Sequence, residues 1–228
     1  MSDGDAPHYV GHRERLRTRV VERGADSLAD YEILESLLFS ARPRGDVKPL
    51  AKALLSRFGT LSAVLGAAPD RLKTVPGVGD AAVAALKVAQ EAGRRLAREQ
   101  ASARSVIASF QALIDYCRVT LAEEPVERFH ILFLDKKHNL IADETQGRGT
   151  VDHTPVYIRE VVKRALFLEA SGLILVHNHP SGDTKPSKAD IEMTRKVVEA
   201  AKPFNVAVHD HIIISRSGHT SFRNTGLI

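Results

Sequence analysis

The run Leu173-Ile174-Leu175-Val176 leads straight into His177-Asn178-His179-Pro180, and no other stretch restricts the fold as strongly. Four consecutive aliphatic residues read as a buried strand. Residues two apart on a strand project to the same face, so both imidazoles can point at one ion. A short loop later comes Pro186-Ser187-Lys188-Ala189-Asp190, which places a carboxylate in the first turn of the next helix. Two imidazoles and one carboxylate leave a fourth position for water, the arrangement that separates catalytic from structural zinc. Ser187 and Asp190 alone also read as a capping box, in which the serine hydroxyl and the carboxylate satisfy helix-end amides. Taken alone, the capping reading is the stronger of the two.

Around this strand the hydrophobic period divides the chain. The first hundred residues follow helical spacing. A basic segment covers 12–22, a helix over 28–39 is capped by Ser27 with Asp30, and a turn spans 40–46. A helix follows over 47–58, then short pieces at 62–65 and 70–73, and a long Ala- and Arg-rich helix over 80–100. After a polar stretch, 97–104, a helix over 109–122 gives way to period two. Strands are expected at 128–135 and 139–146, joined by the polar turn Lys136-Lys137-His138-Asn139, and at 206–215 and 220–223. Helices are expected at 155–170 and 187–201. The prediction is a small all-α domain over 1–103 and an α/β or α+β sandwich over 104–228, with the His pair at a strand end.

Charge bears on partners. The net charge is +4, and the whole excess lies in residues 1–104. Leu72-Lys73-Thr74-Val75-Pro76-Gly77-Val78-Gly79-Asp80-Ala81 resembles the hairpin of a helix-hairpin-helix module. Glycines there allow a tight turn and close approach to a phosphate, and the next helix offers free N–H groups. Non-specific DNA contact through Gly77, Gly79 and this basic domain is one reading; a protein-packing turn is the other. No apolar run approaches the ~20 residues of a membrane span, and Met1 to Pro7 lack the features of a secretory signal. The single cysteine, Cys117, fits a reducing, cytoplasmic setting and sits in an apolar helix pattern, where a buried structural thiol is expected.

His177-x-His179, seven residues, then Ser187-x-x-Asp190 resembles the signature of the JAMM (JAB/MPN+) metalloproteases. The fuller stretch His177-Asn178-His179-Pro180-Ser181-Gly182-Asp183 is similar to the version in bacterial RadC-family proteins. The segments 127–135, 147–160, 209–214 and 225–228 share the resemblance, as does the helical amino-terminal third, so it covers nearly the whole chain. It implies an MPN (cytidine deaminase-like) sandwich and one zinc per chain held by His177, His179 and Asp190. It also implies hydrolysis of a peptide or isopeptide bond in an unknown protein or peptide substrate.

The family's general base opens the first sheet strand, and Glu127 matches it in position; Glu144 and Glu160 are rivals. Ser187 would cap its helix and also donate a hydrogen bond to the oxyanion. Other polar groups have plainer readings. His209 and His211 form a second His-x-His, expected to bond backbone or line the site from behind. His153 reads as an exposed loop residue, and Asp183 as a competing carboxylate. Two other functions stay open: a DNA-binding accessory protein with a structural or vestigial zinc, and a metal-dependent nuclease. The nuclease would want more carboxylates or a second metal than this motif offers.

Overall fold

The computed structural model describes residues 11–102, 110–148 and 156–228. The chain divides into two compact units, Met1–Ala92 and Gly93–Ile228. The boundary expected at 103/104, His153 and the segment Met1 to Pro7 lie outside the described residues. Among those described, no helix is long and apolar enough to cross a membrane.

The first unit is helical: α1 (His12–Arg23), α2 (Asp30–Ala41), α3 (Lys48–Phe58), α4 (Leu61–Gly66), α5 (Pro69–Lys73) and the start of α6 (Asp80–Ser102), inside which the division falls. Leu34, Leu38, Leu54, Val64, Leu72 and Leu86 are fully buried together, which is what the apolar spacing dictates. One expectation fails at α2. Ser27 sits in a short 3-10 turn and bonds back to Gly24, so it caps nothing ahead of it. The helix instead begins after Ala29, whose N–H donates to Glu32 Oε2 at 3.0 Å. An N3 glutamate reaching back does half of a capping box without a cap side chain.

The second unit adds α7 (Phe110–Leu121), β1 (Arg128–Leu134), β2 (Leu140–Arg148), α8 (Ile158–Phe167), β3 (Gly172–Asn178), α9 (Lys188–Ala201), β4 (Ala207–Ile214) and β5 (His219–Ser221). The five strands form one mixed sheet in the order β2-β1-β3-β4-β5, antiparallel except for β3 against β4. The parallel pair needs a crossover, and α9 supplies it.

Alternation along β3 sorts its side chains. Leu173 and Leu175 pack with Val161 and Ala165 of α8 and Val197 and Ala201 of α9. Ile174 and Val176 pack with Leu113, Ile114 and Cys117 of α7. Both faces are therefore covered, and β3 is buried along its whole length. Cys117 is the expected structural thiol: burial pushes its pKa up, away from thiolate chemistry.

Candidate metal centre

The end of β3 and the start of α9 bring the His pair and the carboxylate together. His177, His179 and Asp190 present ligand atoms that all lie within 4.8 Å of one another. The two Nε2 atoms are 2.9 Å apart, and Asp190 places Oδ1 3.4 Å from His177 and Oδ2 3.7 Å from His179. His177 is 1% exposed, whereas His179 and Asp190 are 16% and 15% exposed, so solvent reaches the cluster past His179 and Asp190.

Capping and convergence on the histidines occur together at α9. Ser187 Oγ accepts from the Asp190 N–H at 3.1 Å, and the Ser187 N–H donates to Asp190 Oδ2 at 2.8 Å. The box holds one carboxylate oxygen and leaves the other facing His177. The Ser187 hydroxyl hydrogen is not consumed by these bonds, and the residue is exposed.

Other side chains lock the imidazoles. His179 Nδ1 lies 2.7 Å from the carbonyl of Asp183. A carbonyl can only accept, so Nδ1 carries the hydrogen and Nε2 presents a lone pair. The Asp183 carboxylate turns instead to the Lys185 N–H at 2.9 Å. His177 Nδ1 lies 2.7 Å from His211 Nε2, and His211 Nδ1 lies 2.6 Å from Thr194 Oγ1. Phe129 stacks on His177 at 6.1 Å, and Phe222 lies 4.4 Å from the His211 ring. Burial pushes His177 down to about 4, against the pull of the Asp190 carboxylate and with the help of His179. Burial, then His177 and His179, hold His211 well below 6.5. Both rings are thus neutral near pH 7.

These donors fit a divalent cation of the zinc type. Two neutral imidazoles and one carboxylate are its usual ligands. The two Nε2 atoms, 2.9 Å apart with the Asp190 carboxylate beside them, are close enough to share one ion.

Of the second His-x-His, only His211 reaches the cluster. An irregularity in the β3–β4 register makes His209 the extra residue between Val208 and Asp210. Its ring meets His138 at the far hairpin, 4.8 Å away. Gly172 makes room for it, since a Cβ there would sit 2.4 Å from His209 Nε2.

The three candidate bases fall in different places. Glu144 on β2 takes a two-pronged ion pair from Arg164, with N···O distances from 2.5 to 2.9 Å. Glu160, at the exposed start of α8, pairs with Arg159 and Lys163. Glu127 immediately precedes β1 and is half-buried. Phe129 is opposite His177 in the antiparallel pair, so stepping back along β1 moves toward His179.

The segment carrying Glu127 is fastened by the residue between the two histidines, which the motif leaves unspecified. Asn178 points to the α7 face, 1% exposed. Its Oδ1 accepts from the Arg128 N–H at 2.8 Å, and its Nδ2 donates to the carbonyls of Val126 and Glu124 at 3.1 and 3.2 Å. The peptide groups on both sides of Glu127 are thereby tied to the metal-motif strand.

A mixed sheet between helical layers, with His-x-His leaving a central strand and an aspartate in the first turn of the crossover helix, is the build of a JAB-type domain. Residues 107–227 match the RadC-like JAB domain, and residues 8–84 match the UPF0758 N-terminal domain. The chain belongs to the RadC family.

Proposed function

We propose that this protein is a zinc-dependent hydrolase that cleaves an amide bond in a peptide or protein, with zinc held by His177, His179 and Asp190. The observation that carries the reading is the convergence of two imidazoles and a carboxylate at a solvent-facing strand end. Zinc bound there would polarise a water and a substrate carbonyl and bring the water's pKa toward ~7. Glu127 is the base that takes the water proton and later returns it to the leaving amine. Its support is position. It lies two residues before Phe129, which is opposite His177, so strand alternation continued one residue past β1 would turn it to the His177 face, toward His179. Ser187 donates its hydroxyl hydrogen to the developing oxyanion while its lone pair caps α9.

The test has two arms. Purified protein should contain about one zinc per chain, lost in the His177→Ala/His179→Ala double mutant. A peptide-library screen should then find cleavage that falls roughly 10²–10⁴-fold in kcat in Glu127→Gln with zinc retained. Ser187→Ala should cost less, on the order of 10²-fold. Full zinc in the double mutant overturns the site. Cleavage unaffected in Glu127→Gln but lost in Glu144→Gln or Glu160→Gln overturns the base alone.

The amino-terminal unit supports a second, separable reading, weak DNA contact without sequence preference. Gly77 and Gly79 line a cavity of about 200 Å³ together with the exposed Arg42, whose guanidinium lies 3.6 Å from where a Gly77 Cβ would stand. A cation beside an open glycine turn suits a backbone phosphate.

A further inference from the structure

We propose that Thr194 and His211 are positioning residues that fix His177 as its Nδ1–H tautomer, so that a bare Nε2 always faces the site. The inference rests on the metal-site reading above, which supplies the ion that Nε2 serves.

The direction of the chain follows from its last member. Thr194 Oγ1 lies 2.6 Å from the backbone carbonyl of Asp190, one turn earlier in α9. A carbonyl has no hydrogen to give, so the threonine donates its single hydroxyl hydrogen there. Its oxygen can then only accept from His211 Nδ1, 2.6 Å away. His211 is fully buried; a neutral imidazole that donates through Nδ1 must accept through Nε2. The group facing that Nε2 is His177 Nδ1, at 2.7 Å, which must therefore donate. A neutral His177 with its hydrogen on Nδ1 has its remaining lone pair on Nε2, beside Asp190 and His179.

The alternative tautomer of His177 would set two bare nitrogens against each other in the buried pocket beside Phe129 and Phe222, whereas the favoured one leaves its bare Nε2 on the side of His179 and Asp190 that solvent reaches. It would also place a hydrogen where the ion must bind. Burial makes that mismatch expensive, because water cannot repair it.

The chain also couples the ligands. It begins on the ring of His177 and ends on the main chain of Asp190, so the side chains that converge at the site are linked behind it as well. His179 gets the same tautomer by a shorter route, through the Asp183 carbonyl. Its partner lies on a surface loop, whereas the His177 chain runs through the packed interior.

Thr194→Val keeps the shape and removes the hydroxyl; Thr194→Ser restores the hydroxyl without the methyl. Long-range 1H–15N spectra of the metal-free full-length protein at pH 7.5 should show His177 and His211 both as Nδ1–H tautomers. Zinc affinity, read by competition with a chromophoric chelator, should fall about 10–100-fold in Thr194→Val and stay within about threefold in Thr194→Ser. The proposal is overturned if wild-type His177 carries its hydrogen on Nε2. It is equally overturned if wild type binds zinc and Thr194→Val binds it as tightly. A wild type that shows the expected tautomers but binds no zinc supports the chain and overturns the zinc reading instead. Because the tautomer spectrum needs only wild-type protein, a Thr194→Val variant that fails to fold does not remove the test.

Discussion

A single side chain decides how the base segment meets the metal strand. Asn178 satisfies three backbone groups around Glu127 from a side chain that is itself buried. Asn178→Asp keeps an acceptor for the Arg128 N–H but sets a carboxylate oxygen against two carbonyls. With the lost hydrogen bonds, that is expected to cost about 2–4 kcal/mol. The histidines on either side keep their own partners, so zinc binding should change only a few-fold. Amide hydrogen exchange at residues 124–128 should accelerate, and any peptide cleavage should fall by at least tenfold as Glu127 loses its place. Exchange in that segment matching wild type would show that the loop is held by other contacts and that Asn178 does not position the base.

Among the elements, the α5–α6 hairpin permits a clean test of nucleic-acid contact. Gly77 has φ +90, in the region that favours glycine, so a side chain there strains the turn whatever the ligand. Gly79 is outside that region, and a Cβ on it would meet nothing within 4 Å. Gly79→Val should therefore leave helix content unchanged while filling the space a phosphate would use. In fluorescence anisotropy with a random-sequence duplex, the full-length chain should bind weakly, more weakly as salt rises, and at least tenfold worse in Gly79→Val. No binding by wild type at low salt, or equal binding by the variant, ends the DNA reading. Element by element, most of the fold was legible because it rests on local periodicity: the long α6, the β1–β2 hairpin, the buried β3. The convergence of His177, His179 and Asp190 was legible too, since these residues sit close together in the chain. The second His-x-His was expected to bond backbone or line the site from behind, but which of its residues would reach His177, with Thr194 behind it, was not legible, nor was the linkage of Asn178 to Glu124 and Val126. Those contacts join residues 17 to 54 positions apart, and only register sets them; the bulge at His209 is what separates it from His211. Ser27 misled because a capping serine and a turn serine look alike until the chain direction is known.

For the molecule as a whole, the buried polar groups predict a two-stage response to acid. Burial holds His177 down to about 4 and His211 well below 6.5, whereas in the unfolded chain both return to about 6.5. Between those limits the unfolded state binds more protons, so stability falls as pH falls, by up to about 1.4 kcal/mol per pH unit for each ring. The second stage belongs to Asp143 on β2. Burial would raise its pKa, but hydrogen bonds with His130 at 3.0 Å and from Tyr116 of α7 outweigh that and hold it below the ordinary carboxylate range. A depressed carboxyl gives stability that is present above its unfolded value near ~3.9 and lost as pH falls through the folded one. In urea titrations of the metal-free full-length chain, with hydrogen exchange reporting on β1, β3 and β4, the sheet should lose stability from about pH 6.5 to about pH 4.5. The expected slope exceeds one proton, and a further loss should follow below about pH 4. Tyr116→Phe should weaken the second stage and leave the first in place. Saturating zinc should stabilise the sheet at pH 7.5 and steepen the first stage, because protons must displace the ion as well as enter the rings. A sheet whose stability is flat from pH 6.5 to pH 4.5 would mean that the two imidazoles are not buried in the neutral form, and with that the ligand geometry behind the hydrolase reading would fail.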